Sequence, residues 1–453
     1  MTQTPQQLFE AAAARVSRDG VPVTLTGYHA FGPTLSAGRF ALPNGLKIVL
    51  VPDHRAPIFA YQTWFKVGSK HEDPERTGIA HLFEHLMFKG TKRFATGTFD
   101  AEMERRGAQT NAATWVDWTY YMEALAARGD NLATVIDFEA DRMTGLVLDR
   151  ETFLSELEVV KNERRMSVED SLSGLLGEQL LALAYTTHPY RWPTIGSMAH
   201  LEAASLTELE RFYRAFYAPN NATVVLVGDV EPEAALRELV RGYGKLEAQA
   251  IDPRPWTPEP PQTAARERTV RRPMVAPQLV IGYHAPAQGT APYAACEMLT
   301  EALVSGDTAR LYERLVTREG LASEVGGFLS PFAEPGLFEL HVTARPDADP
   351  RACLRVVQEE LDALPRGLTK NELDKARNGL ELSLIDTLKD VEGCAEALGH
   401  HETNFGDFGR AFAAGAQYAA VTPADLAATA ASVFQVTNRS VVIGVPAAAG
   451  EEH

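Results

Sequence analysis

Ser205-Leu-Thr-Glu-Leu209, followed by Tyr217-Ala-Pro-Asn-Asn-Ala-Thr-Val-Val-Leu-Val227, reads as a capped helix running into a buried strand. The same pair returns at a constant offset of 217 residues, as Thr422-Pro-Ala-Asp-Leu426 and Phe434-Gln-Val-Thr-Asn-Arg-Ser-Val-Val-Ile443. Between the copies, residues 246–277 contain seven prolines, five of them in Pro253-Arg-Pro-Trp-Thr-Pro-Glu-Pro-Pro261. Proline at that density excludes a regular helix or a central strand, so the stretch reads as a linker. A repeat on either side of a linker predicts a duplicated α+β fold, each copy a mostly antiparallel sheet covered by helices. The expected boundaries are an N-terminal extension over 1–40, a first domain over 41–245, a linker over 246–275 and a second domain over 276–453.

Within the first half, Leu46-Lys-Ile-Val-Leu-Val51 and Phe59-Ala-Tyr-Gln-Thr-Trp-Phe-Lys-Val67 read as strands. Residues 111–125, rich in Thr, Trp, Tyr and Val, read as one more. Residues 77–88 and 150–183 read as helices. The 453 residues suit two domains better than one core, and 45% apolar with 23% charged side chains is ordinary globular composition. Sixty acidic against 43 basic side chains give a formal charge of −17, a field that opposes nucleic acid or anionic membrane as the main partner. No apolar run approaches the ~18–20 residues that span a bilayer. Residues 1–20 lack a basic start and a continuous apolar core, so no signal peptide is read; a cytoplasmic protein is expected, with a periplasmic one left open. The three cysteines, Cys296, Cys353 and Cys394, show no paired metal spacing and read as reduced thiols.

The chemistry-bearing stretch is Thr77-Gly-Ile-Ala-His81-Leu-Phe-Glu84-His85-Leu-Met-Phe-Lys-Gly90, which contains H-x-x-E-H. Residues i, i+3 and i+4 share one helix face, so two imidazoles can meet one zinc ion with a carboxylate beside it. A third protein ligand is needed. The stretch Glu156-Leu-Glu-Val-Val-Lys-Asn-Glu163-Arg-Arg165 offers Glu156 and Glu163, seven apart and therefore on one face, while Glu158 and Glu169 read as solvated.

These stretches, with Leu42-Pro-Asn-Gly-Leu-Lys-Ile-Val-Leu50 and Asn111-Ala-Ala-Thr114, make the chain resemble the pitrilysin/insulinase family of inverted-motif zinc peptidases, closest to its processing-peptidase-like branch. The resemblance runs over 42–446, and the 78 residues from His85 to Glu163 suit the family. It implies one Zn2+ per chain held by His81, His85 and Glu163. It further implies a zinc-activated water with Glu84 as general base, and Glu156 as a supporting glutamate that orients the zinc environment. The peptide would lie extended along a sheet edge inside a chamber, with Asn111 and Ala112 as substrate-binding residues.

Self-sufficient relatives carry an Arg and a Tyr in the second half that hold substrate and stabilise the oxyanion. Here Leu311-Tyr-Glu-Arg-Leu-Val316-Thr-Arg-Glu-Gly-Leu-Ala-Ser323 puts Val316 and Ser323 at those positions. Neither side chain can donate a charged or phenolic hydrogen bond. Arg314 and Arg318 lie nearby at the wrong register. The expectation is a heterodimer whose other subunit lacks the zinc motif and carries the Arg/Tyr pair. A homodimeric peptidase and a non-catalytic assembly subunit are the alternatives. His188 reads as part of a loop rather than another metal site, and His284, His341, His400 and His401 read as structural.

Overall fold

A computed structural model of the chain describes residues 4–32, 34–252 and 254–447. They form two units. The first comprises Met1–Lys161, Thr194–Pro255 and Ile385–Ala413, and the second Asn162–Pro193, Trp256–Leu384 and Ala414–His453.

The first unit holds β1 (Thr24–Phe31), β2 (Leu35–Ala41), β3 (Lys47–Pro52), β4 (Ile58–Phe65), β5 (Gln109–Thr114), β6 (Thr119–Ala126) and β7 (Ala222–Gly228). Their order is β1-β2-β3-β7-β4-β6-β5, antiparallel throughout except for the parallel β3–β7 pair. The second unit holds β8 (Arg266–Arg272), β9 (Gln278–His284), β10 (Ala322–Leu329), β11 (Leu337–Ala344) and β12 (Arg439–Pro446). Here the order is β10-β11-β9-β12-β8, and only β12–β8 is parallel. The expected α+β fold of two helix-covered, mostly antiparallel sheets is therefore what the chain adopts. The repeated signature sits in register: the helices Leu206–Phe216 and Pro423–Val433 both begin at a capping box, on Ser205 and Thr422, and lead into β7 and β12.

The central strands are apolar without alternation because both faces of the sheet are covered. In the first unit, one face packs on a core that includes Phe40, Ile48, Phe59, Tyr61 and Leu226. The helix Val391–Phe405 covers the other face, where Gly399 lies flat against Trp64 and leaves no room for a Cβ. In the second unit the helix Leu172–Ala184 does the same work, with Leu180 against Gly282 and Leu176 against Gly444. Each unit thus takes a helix from the opposite half of the sequence.

Four elements differ from expectation. Residues 1–40, expected to form an extension, supply the helix α1 (Pro5–Val16), β1 and most of β2. Residues 111–125 are not one strand but the β5–β6 hairpin, closed where Trp115 N–H donates to Trp118 C=O at 2.8 Å. Asp117 in that turn is buried against Lys70 at 2.6 Å, which fixes the reversal. The long helix expected over 150–183 breaks after Arg164 into a π-turn, Arg165–Glu169, and restarts where Ser171 caps the next helix. Finally, the linker ends earlier than expected. Arg266–Arg272 is an edge strand, where charged side chains are tolerated, so the irregular stretch before it covers 246–252 and 254–265. That stretch is docked rather than loose. Glu259 accepts from the backbone N–H groups of Thr186, Thr187 and His188 at 2.8, 2.9 and 3.0 Å. Among the described residues no helix is long and apolar enough to cross a membrane.

Candidate functional site

Between β4 and β5 the first unit places α2 (Ile79–Leu86) and α3 (Thr98–Arg106); α4 (Asn131–Gly145) and α5 (Arg150–Arg164) follow β6. The apolar face of α2 is buried through Ile79, Ala80, Leu82, Phe83 and Leu86, with Phe83 packed on Tyr213 and Tyr217. Its start has no side-chain cap of its own. Gly78 adopts φ +94°, and a Cβ there would sit 2.6 Å from the Ile195 carbonyl oxygen, so only glycine fits. The carboxylate of Glu72 serves the first turn instead, accepting from Gly78 and Ala80 N–H at 2.9 and 2.7 Å. Burial pushes that carboxyl up to about 8 against the pull of these backbone donors.

The half-buried side that remains presents His81, Glu84 and His85. The two imidazole rings lie 4.9 Å apart at 73°. Glu163 reaches them from the last turn of α5. The division between units falls within this helix, whose continuous backbone carries Glu163 along with the first unit's α5. One ligand atom from each of His81, His85 and Glu163 lies within 4.8 Å of the other two, and all three side chains are partly buried. Among the described residues this is the only such group of three or more. A tetrahedral zinc with ~2.0 Å arms needs donors ~3.3 Å apart, within reach of small side-chain rotations from this arrangement. Two imidazoles and a carboxylate, all partly buried, are the donor set that suits zinc with a fourth position left for water, so the residues present fit the ion. The π-turn that begins two residues after Glu163 is of the kind that recurs at functional sites.

Glu156, 8% exposed, stands behind the cluster. One oxygen lies 3.7 Å from His85 Nδ1, and the other pairs with Lys89 Nζ at 2.8 Å. On the opposite flank, the Thr114 hydroxyl donates to Glu84 Oε2 at 2.5 Å. Thr114 ends β5, the edge strand of the sheet, on which Asn111 is exposed and Ala112 partly buried against the core. Five of the seven residues singled out from sequence therefore gather on α2 and α5, and the other two, Asn111 and Ala112, lie on β5, the strand whose Thr114 reaches Glu84.

In the second unit, Val316 packs against the core and Ser323 donates to the Thr343 carbonyl at 3.3 Å. Arg314 is tied to Glu319, Glu359 and Glu360, and Arg318 to Glu313. His284 and His341 lie on β9 and β11, His188 caps a short turn, and His400 and His401 are held on the helix Val391–Phe405.

Sequence reasoning passed over three residues. Thr114 lay in a quoted stretch, and period-two alternation from Ala112 would have put it on the same face. Lys89 follows His85 by four, the helical spacing that would have flagged it. Glu72 gave no signal, since its partners are backbone amides.

Residues 47–197 match the family described as insulinase (peptidase family M16), and residues 203–380 match the peptidase M16 inactive domain. The chain is 32% identical over 361 residues to the zinc protease PqqE of Helicobacter pylori, covering 78% of this chain and 81% of that one. It is 28% identical over 448 residues to an uncharacterized zinc protease of Streptomyces coelicolor, covering 96% and 95% respectively. The crystal structure of a protease from Helicobacter pylori superposes with a TM-score of 0.87 at 28% identity, covering 91% of this chain and 100% of that one. The fold is also that of the periplasmic protease PqqL from Escherichia coli, with a TM-score of 0.76 at 20% identity over 92% of this chain and 48% of that one. The chain belongs to the M16, or insulinase, family of peptidases.

Proposed function

We propose that this chain is the zinc-bearing subunit of a metalloendopeptidase that cleaves peptides bound in extended form. The observation that carries the reading is the convergence of the His81–His85–Glu163 cluster and the Glu84 carboxylate beside the open edge strand β5. His81, His85 and Glu163 would hold the zinc, and Glu156, braced by Lys89, would orient His85. When bound, zinc supplies Lewis-acid polarisation and makes water acidic enough to be deprotonated at neutral pH.

The rest falls to the chain's own groups. Glu84 takes the proton of the attacking water and returns it to the leaving amine nitrogen. The backbone of β5 at Asn111 and Ala112 pairs with the peptide main chain, which aligns the scissile bond without selecting side chains. Val316 and Ser323 offer no strong donor to a developing oxyanion, and Arg314 and Arg318 are engaged in ion pairs. A partner of similar fold would supply those donors inside a shared chamber. The match to about half of a longer fold relative supports such a pairing.

The test uses zinc-loaded chain and a quenched fluorescent peptide. Glu84→Gln keeps size but cannot take a proton, so it should retain the metal and lose about 10²–10⁴ in rate. Loss of one oxyanion donor costs about 2.7–4 kcal/mol, so the isolated chain should be nearly silent and titration with the partner should raise cleavage to saturation at one partner per chain. Full activity of the isolated chain favours the homodimer. Equal activity of Glu84→Gln and wild type removes Glu84 from the chemistry.

A further inference from the structure

We propose that Thr114 is the positioning residue for Glu84, fixing the carboxylate to the same strand that takes the peptide; the inference rests on the reading of Glu84 as general base. The contact is a hydroxyl donor on a carboxylate oxygen at 2.5 Å, the length of a charge-assisted O–H···O bond. Its direction follows from the neighbours. Thr114 faces Thr119 across the hairpin, and the buried Thr119 hydroxyl donates to the Val67 carbonyl at 2.9 Å. Thr119 Oγ1 also lies 3.4 Å from Thr114 Oγ1, a longer contact. A threonine hydroxyl has one proton and two acceptor sites. With the Thr119 proton on the carbonyl none is left for Thr114, and a carboxylate oxygen can only accept, so the Thr114 hydroxyl is the donor in the short bond to Glu84.

The arrangement matters because Glu84 sits on a half-buried face of a two-turn helix, and the bond restrains the three side-chain torsions that set where its carboxylate stands. β-Branching stiffens Thr114 at χ1, and its backbone is held in the β5–β6 ladder. A peptide added to the outer edge of β5 would take its register from the same backbone. Base and scissile bond would then share one rigid reference. Thr114 touches no metal ligand in this scheme and moves no proton in the reaction; it sets where the base stands.

Two substitutions separate the hydroxyl from the shape. Thr114→Val keeps the branched outline and removes the donor, and Thr114→Ser keeps the donor. Both are made in the full chain, assayed in whichever form of the wild type cleaves the peptide, and checked for zinc content. Thr114→Val should lower kcat about 10–100-fold with KM within about twofold, as expected for a misplaced reacting group. Thr114→Ser should recover most of that loss, and zinc content should stay at the wild-type value in both. In a Glu84→Gln background, Thr114→Val should cause no further loss of rate and no change in peptide affinity. A wild-type kcat in Thr114→Val, while Glu84→Gln is inactive, overturns the inference and leaves the peptidase reading intact. Rising KM at constant kcat overturns it in favour of a substrate contact. If Thr114→Ser is as slow as Thr114→Val, the hydroxyl is not the operative group. If Glu84→Gln itself cleaves like wild type, it is the general-base reading that has failed.

Discussion

The five strands β3-β7-β4-β6-β5 and β8-β12-β9-β11-β10 have the same order and the same single parallel pair, yet among the described residues only the first set lies beside a group of side chains that could hold a metal. The difference lies in what fills the connection before the edge strand. In the first unit it is α2, short and half open, with two histidines and a glutamate on its free side. In the second it is the helix Ala291–Val304, buried along Tyr293, Ala294, Cys296, Met298, Leu299 and Leu303 and free of histidine. Its Glu297 is pushed up to about 7 by burial and accepts from the Tyr418 hydroxyl at 3.2 Å, a core contact rather than an open ligand. The fold is thus set by what the copies share, and the site by one helix in which they differ.

The comparison breaks most severely at the start of that helix. Gly78→Ala forces an L side chain into φ +94° and against the Ile195 carbonyl, which should cost about 1–3 kcal/mol of stability in denaturant unfolding. Zinc binding should weaken with it, because α2 must shift; unchanged stability and zinc would mean that α2 can start without its glycine. A smaller effect is expected at Lys89. Lys89→Met removes the charge that braces Glu156 and should lower zinc affinity about tenfold in a chelator competition, with little change in melting temperature. An unchanged affinity would show that Glu156 needs no brace from Lys89.

The smallest effect belongs to the second unit and should leave zinc untouched. Burial pushes the Glu259 carboxyl up, but the backbone donors of His188, Thr187 and Thr186 outweigh it and hold it at about 2 rather than 4.5. A carboxyl lowered by folding contributes stability that is complete above about pH 4.5 and is lost as pH falls toward 2. Thermal unfolding of zinc-free chain should show that loss, and Glu259→Gln should lower stability at pH 7 and flatten the acid slope. An acid slope identical in the variant would place the titration elsewhere.

Much of this was legible in the residues. The capping boxes at Ser205 and Thr422 and the strands behind them marked the repeat, because local hydrogen bonding and apolar runs are written in short stretches. His81, Glu84, His85, Glu156 and Glu163 could be grouped because helical periodicity relates residues seven or fewer apart. Pairing α2 with α5 across 78 residues needed the family resemblance. What escaped were relations between distant segments. β1 and β2 mostly lack the unbroken apolar runs of central strands, and only their pairing shows that they belong to the sheet. The helix Val391–Phe405 carries nothing that assigns it to the first unit; Gly399 gains its meaning only beside Trp64. Glu72 meets α2 through two backbone amides and Thr114 through the Glu84 side chain, and no spacing rule links them to that helix.

The central claim is that one helix, completed by Glu163, makes the first unit a zinc site. Metal analysis of purified wild type, His81→Ala, Glu163→Ala and His341→Ala tests it most directly. About one zinc per chain is expected in wild type and in His341→Ala, whose imidazole lies on β11, with occupancy falling sharply in the other two because a two-ligand site binds weakly. Undiminished zinc in both His81→Ala and Glu163→Ala would contradict the account.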